Sequence, residues 1–242
     1  MFSFNQQNFQ NLMSIFMEVV KNSGQIITPR MAYDQAVAPL LAQTDAHDYF
    51  RWRTMQLCAE MIATDSTLAN SDACVAEAGV WRGGFSYLIN AAFKDRTLHL
   101  FDTFEGFNKE QVNHDYDKGL IDNFFKDQQD FNSTSIDLVK SILPFKDKAC
   151  FHKGLFEDTC QEVKDLKFVF TSLDMDLKQP MAAALEFFYE RTLPGGFIFM
   201  HDYNHSMIRG IKEVIAEYEQ KHGRLAKLPI ADEGGSIIIV KS

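Results

Sequence analysis

Cysteine is scarce in this 242-residue chain, and the four present, Cys58, Cys74, Cys150 and Cys160, are scattered without a Cys-x-x-Cys pair. That spacing excludes a zinc ribbon or a disulfide framework and predicts buried thiols. Basic residues are short as well: 24 Lys and Arg against 33 Asp and Glu leave a net charge of -9. Such a balance opposes nonspecific attraction to nucleic acid or an anionic membrane. Long apolar runs are missing too, since nowhere do about eighteen apolar residues follow one another. The opening, MFSFNQQNFQNLMSIFMEVV, has no basic leader and no clean apolar stretch, so a cytoplasmic location is expected. Asn132-Ser133-Thr134 matches a glycosylation sequon, but without secretion it reads as polar residues capping a helix near Ile136.

What is present is apolar content of 46%, enough for one sizeable core and too little for two full catalytic domains. Before residue 73 the pattern is helical. Phe9, Leu12, Met13, Phe16, Val19 and Val20 recur at three- and four-residue spacing, an apolar face suited to a dimer contact, and a second helical stretch covers Tyr49 to Ala69. From Cys74 the rhythm changes to short apolar runs alternating with helical patterns, as in a parallel sheet with crossover helices. Strands are expected at 74–78, 97–101, 149–152, 167–173, 197–200 and 236–241. Helices are expected after Gly84, at 135–142, at 180–191 behind Pro180, and at 207–221. Glu233-Gly234-Gly235 offers a turn that lets the last strand run antiparallel. The interval 103–134, with Asp115, Tyr116, Asp117, Phe124, Phe125 and Phe131, is too long for a plain connection and reads as a lid, or else a surface excursion.

The first strand runs into Glu77-Ala78-Gly79-Val80-Trp81-Arg82-Gly83-Gly84. Gly79 lets backbone approach a ligand closely, while Gly83 and Gly84 open a helix whose free N–H groups can face a carboxylate. The spacing is not GxGxxG, and no Gly-Lys-Ser or Gly-Lys-Thr follows, which argues against a dinucleotide fold and a P-loop. Glu77 can instead hold the ammonium of a methionine moiety, and Asp102, ending the next strand before Thr103-Phe104-Glu105-Gly106, can accept from both ribose hydroxyls. S-adenosylmethionine satisfies both. The bland reading makes Glu77 a strand-end acid and Asp102 a turn residue, with Trp81 a packing indole and Arg82 a surface guanidinium.

Downstream, Leu173-Asp174-Met175-Asp176-Leu177 puts two acids on one side of a strand by alternation, and His201-Asp202-Tyr203 ends the next strand. Carboxylates gathered this way repel unless a cation or proton is shared, so a divalent metal held by Asp174, His201 and Asp202 is expected, with Asp176 as general base. The alternative makes the acids helix caps and His201 a donor to backbone. Presenting an alcohol as alkoxide some five pH units below its pKa costs roughly 7 kcal/mol. A base and a Lewis acid lower that cost.

In order along the chain, Gly79-Val80-Trp81-Arg82-Gly83-Gly84, Asp102-Thr103-Phe104-Glu105-Gly106, Gly154-Leu155-Phe156-Glu157-Asp158-Thr159, Leu173 to Leu177, Pro194-Gly195-Gly196-Phe197 and Asp202-Tyr203 resemble the macrocin O-methyltransferase family over residues 73–205. The resemblance implies an α/β fold: a Rossmann-like class I methyltransferase sheet, mostly parallel with an antiparallel C-terminal strand, plus an N-terminal helical extension over 1–72. Residues 73–242 would form the catalytic domain, with the lid insertion at 103–134. It also implies a Mg²⁺-dependent sugar O-methyltransferase of secondary metabolism and a homo-oligomer. The cofactor would lie on Glu77, Gly79, Val80, Trp81, Gly83, Gly84, Asp102, Thr103, Phe104, Gly106, Asp158 and Asp174, with Asp174 on the metal and Asp176 as base. The family carries Asp-Asp-Tyr where this chain has His201-Asp202-Tyr203, which shifts the expected metal toward Mn²⁺ or another transition ion. Lys178 stands where the family often has an aromatic, so the acceptor hydroxyl is expected on a different sugar. Three rivals stay open: a metal-independent methyltransferase with His201 as base, an NAD-dependent oxidoreductase, and a non-catalytic protein binding a partner through its Phe-rich N-terminal helix.

Overall fold

The structure, a computed structural model, describes residues 29–32, 34, 48–127 and 130–242. The apolar face at 9–20, and the dimer contact expected from it, lie outside the described residues.

Helix α1, Tyr49–Thr64, begins where Asp48 accepts the N–H groups of Phe50 and Arg51 at 2.8 and 3.0 Å. One face, Trp52, Met55, Cys58 and Ile62, is buried on the sheet. Asp65 then ends α1 and caps the short turn Ser66–Ala69. The sheet strands are β1 Cys74–Ala78, β2 Leu98–Asp102, β3 Ala149–Lys153, β4 Phe168–Leu173, β5 Thr192–Met200, β6 Ala226–Pro229 and β7 Ile237–Val240. The helices between them are α2 Gly84–Ala92, α3 Lys109–Asp117, α4 Asn123–Asp127, α5 Ile136–Ile142, α6 Phe156–Thr159, α7 Lys178–Arg191 and α8 Gly210–His222.

The strands order as β3-β2-β1-β4-β5-β7-β6. The first five run parallel, and β7 lies antiparallel to both β5 and β6. The expected α/β class and antiparallel last strand are thus present. Two strand features differ from the expectation. Strand β6 is an exposed edge ending in Pro229 and has no apolar alternation to announce it. Strand β5 starts at Thr192, because Thr192 pairs with Phe168 and Phe197 with Phe170, so 193–196 bulge out between the two pairings.

Alternation along the strands splits the core into two layers. Val75, Phe170 and Phe199 pack under α1 and α2, while Ala76, Phe168, Ile198 and Met200 pack under α7 and α8. Phe101, Phe168, Phe170, Phe188 and Phe199 are fully buried, each contributing about 2–3 kcal/mol of hydrophobic stabilisation. Three thiols join this core, but Cys150 on the β3 edge strand is exposed, contrary to the expectation of four buried ones. No helix among the described residues is long and apolar enough to cross a membrane.

The chain leaves β1 toward β2 and β3, then returns to place β4 on the other flank of β1. This reversal opens a crevice at the carboxyl ends of β1 and β4, where ligands of open α/β sheets bind. Residues 77–84 and 174–176 begin at those ends.

Candidate active site

A cavity of about 650 Å³ occupies that crevice. Glu77, Gly79, Val80, Trp81 and Gly84 line one wall, Asp102, Thr103 and Gly106 a second, and Asp174, Asp176, His201 and Asp202 a third. The roof is Phe107, Phe124, Phe125 and Phe131 from the 103–134 interval. That interval is pinned by an Ile121–Ile208 bridge and by Asp115, whose Oδ2 accepts the Lys178 N–H at the start of α7 at 2.7 Å.

Glu77 shares its face of β1 with Val75, so its side chain enters the layer beneath α1 and α2, where Ser86 Oγ donates to its Oε2. Burial pushes its carboxyl up to about 8, against the Ser86 hydrogen bond and the Arg51 charge. Asp102 accepts backbone donors from the glycine turn and from its own loop. Its Oδ2 accepts the N–H groups of Val80 and Trp81 at 2.7 and 2.9 Å, and its Oδ1 accepts Phe104 N–H at 2.7 Å. Three backbone donors still leave one of a carboxylate's roughly four acceptor positions open to a ribose hydroxyl.

The sequon residues do not cap the helix that follows. Ser135 does, accepting Leu138 N–H at 3.1 Å, while Ser133 accepts from Arg82 and Thr134 Oγ1 donates to the Trp81 carbonyl. They brace the glycine turn.

Both acids after β4 lie beyond the strand, which ends at Leu173, so turn geometry rather than alternation directs them. Asp176 has φ +62 and Asp202 φ +57; with Trp81 and Phe104 they are the non-glycine residues of left-handed backbone among the described residues. Such strain gathers where a surrounding structure fixes a functional group.

His201 Nδ1 lies 2.8 Å from Asp174 Oδ1 and 3.0 Å from Asp202 Oδ2, yet it is buried without an aligned hydrogen-bond partner among the described residues. Burial and Arg51 oppose its protonation, but the two carboxylates win and raise it to about 9. Burial also works to raise the Asp174 carboxyl, but His201 and Arg51 hold it well below the usual carboxylate range. Asp176 goes the other way, pushed well up by burial and by the Asp202 and Asp174 charges.

The ligand atoms of Asp174, His201 and Asp202 lie within 4.8 Å of one another. Adjacent ligands on an octahedral ion with bonds of about 2.1 Å stand about 3 Å apart, close to the spacings around His201 Nδ1. The donor set and the orphaned nitrogen fit a divalent ion.

The macrocin-O-methyltransferase (TylF) family model matches residues 5–237. The chain belongs to that family. Its members are S-adenosylmethionine-dependent O-methyltransferases. A rhamnosyl-tetracenomycin C 4'-O-methyltransferase of Streptomyces olivaceus is 25% identical over 184 residues, 72% of this chain and 66% of that protein, just under two thirds of its length. Among solved structures, the O-methyltransferase NovP superposes with a TM-score of 0.64 at 23% identity, covering 80% of each chain. The calicheamicin methyltransferase CalS11 gives a TM-score of 0.60 at 12% identity over 97% of this chain and 91% of that one. Both share the class I methyltransferase fold.

Of the residues that the resemblance puts at the cofactor, Gly83, Phe104 and Asp158 do not line the cavity, and neither does Lys178. Asp158 is exposed, and its neighbour Glu157 lines the cavity instead, with Oε1 accepting from Gln111 and Oε2 buried without a partner among the described residues. Lys178 turns away to Glu213 and Glu217 of α8 at 2.7 and 2.8 Å, so it does not line the cavity. Arg51 and Asp232 had no local signal in the sequence. Arg51 reaches the site from α1, 2.8 Å from Asp174 Oδ2, and Asp232 stands 4.0 Å from His201 Nε2.

Proposed function

We propose that this chain transfers the methyl group of S-adenosylmethionine to a hydroxyl on a sugar of a glycosylated metabolite, assisted by a divalent ion. The observation that carries the reading is one cavity lined by the glycine turn, by Asp102 and by the acids that follow β4 and β5. Glu77 would receive the cofactor's ammonium and Asp102 its ribose, with Glu157 Oε2 an open acceptor for the adenine amine. Asp174, His201 and Asp202 would hold the ion, which supplies Lewis acidity for a developing alkoxide. Asp176 would take the hydroxyl proton, since its raised affinity for protons suits a base better than an ordinary carboxylate does. The aromatic roof would exclude water and help align oxygen, methyl carbon and sulfur.

The sugar acceptor is drawn from the Streptomyces olivaceus relative, which acts on a rhamnosyl group. The reading with His201 as a metal-free base has less support. His201 Nδ1 already faces two carboxylates, Asp174 Oδ1 at 2.8 Å and Asp202 Oδ2 at 3.0 Å, an arrangement that suits a shared cation. The family match likewise gives no support to an oxidoreductase or a non-catalytic binder. The test is incubation with methyl-labelled S-adenosylmethionine and a rhamnosyl-tetracenomycin, with and without a chelator, followed by mass spectrometry. Label in the sugar, lost with the chelator, is the expected result; label in the aglycone or unchanged turnover with chelator would contradict it.

A further inference from the structure

Arg51 does not meet Asp174 as a casual surface pair. Its terminal nitrogen lies 2.8 Å from Asp174 Oδ2 and 3.4 Å from Ser172 Oγ, and its guanidinium carbon sits 4.1 Å from the centroid of the Phe85 ring. The two side chains are only 13% and 22% exposed. Helix α1 fixes the position: Asp48 caps it through the Phe50 and Arg51 N–H groups, and its other oxygen accepts Glu233 N–H from the loop before β7. The same loop presses Gly234 against His201, where an added Cβ would meet Nε2 at 2.4 Å. One helix start, one loop and the acids therefore form a single packed unit.

Asp174 is divided between two neighbours. Oδ2 faces Arg51 at 2.8 Å, and Oδ1 faces His201 Nδ1 at 2.8 Å. A divalent ion among Asp174, His201 and Asp202 would share one carboxylate with a guanidinium, an oxygen each. Two cations across a single carboxylate repel, and in a part-buried site solvent screens that repulsion poorly. Arg51 also draws on Asp232, a neighbouring negative charge that would otherwise favour the ion.

We infer that Arg51 is a resident counter-cation that competes with a divalent ion for Asp174 and so sets metal affinity below what the three donors allow. The inference rests on the divalent-ion reading of the site. Arg51 is a positioning residue in this role, acting through Asp174.

The test is binding of Mn²⁺ alone, followed by electron paramagnetic resonance without cofactor or acceptor, in the wild type, Arg51→Met, Arg51→Gln, Arg51→Lys and Asp174→Asn. Methionine keeps a stem over Phe85 without charge, and glutamine keeps a donor without charge. Both variants should bind Mn²⁺ about tenfold or more tightly than the wild type, while lysine, which keeps the charge, should stay near it and Asp174→Asn should bind weakly. Equal or weaker binding in both neutral variants, with the wild type still binding, overturns the role of Arg51 and leaves the metal reading standing. No Mn²⁺ bound by any of the five proteins overturns both.

Discussion

A Cβ placed on Gly79 would lie 1.8 Å from the carbonyl oxygen of Asp174. The glycine turn and the acidic loop are therefore in backbone contact, and the residue that permits it has no side chain. Gly79 also sits at φ +87, which an L side chain rarely adopts. Gly79→Ala should lose about 2–4 kcal/mol of stability from strain and overpacking together. The loss should appear in chemical denaturation, with cofactor binding weakened in parallel.

Glu77 predicts a proton-linked cofactor affinity. With its carboxyl pushed up to about 8 by burial, it is mostly protonated at neutral pH in the free protein. The ammonium of the cofactor favours the ionised form, so binding near pH 7 should release up to about one proton. Affinity should accordingly rise as pH climbs toward 8 and level off above it. Calorimetry in buffers of different ionisation enthalpy measures the release. Glu77→Gln should abolish it, and a buffer-independent enthalpy in the wild type would count against this role.

On the family resemblance, His201 takes the place of an acid, and imidazole is a poor partner for Mg²⁺. Mn²⁺ should restore chelator-treated protein at a concentration about tenfold lower than Mg²⁺ requires. His201→Asp should shift the preference back toward Mg²⁺. Turnover that answers to Mg²⁺ alone in the wild type contradicts the prediction.

His99 and His152 offer a stability test away from the site. His99 Nδ1 and His152 Nε2 lie 3.0 Å apart in the sheet, and His152 Nδ1 reaches Glu162 at 2.6 Å. Burial, with the His152 charge, lowers His99 to about 4. A depressed histidine contributes stability that is present above its unfolded pKa near 6.5 and is lost as pH falls toward 4. Roughly 2–3 kcal/mol should disappear over that window. His99→Phe should flatten the loss in denaturation curves between pH 7 and 4; an unchanged slope would rule out His99 as its source.

How much of this was legible in the sequence follows from which interactions are local. Strands β1 and β4 announce themselves as short apolar runs, and Gly79, Gly83 and Gly84 mark the turn because only local backbone geometry is at stake. The antiparallel β7 was readable from Glu233-Gly234-Gly235. Strand β6 was not, since an exposed edge ending in Pro229 carries no alternation. The strand expected at 197–200 is longer in the structure, and only the pairing of Thr192 with Phe168 shows that 193–196 are a bulge inside it. At the site, Asp174, Asp176, His201 and Asp202 were visible as three acids and an imidazole clustered at strand ends. Arg51 was not, because its partner lies 123 residues away and the fold alone brings them together. Asp102 was visible as an acid ending a strand, while the three backbone N–H groups that it accepts depend on how the glycine turn folds back over β2.

The central claim is that Asp176 removes the acceptor's proton beside a bound cofactor. Asparagine tolerates left-handed backbone, so Asp176→Asn should fold with the same turn. The most direct measurement pairs turnover of a rhamnosyl-tetracenomycin with calorimetric affinity for S-adenosylmethionine in this variant. The account predicts a kcat lower by about 10²–10⁴ with cofactor affinity unchanged; a variant that methylates at the wild-type rate would contradict it.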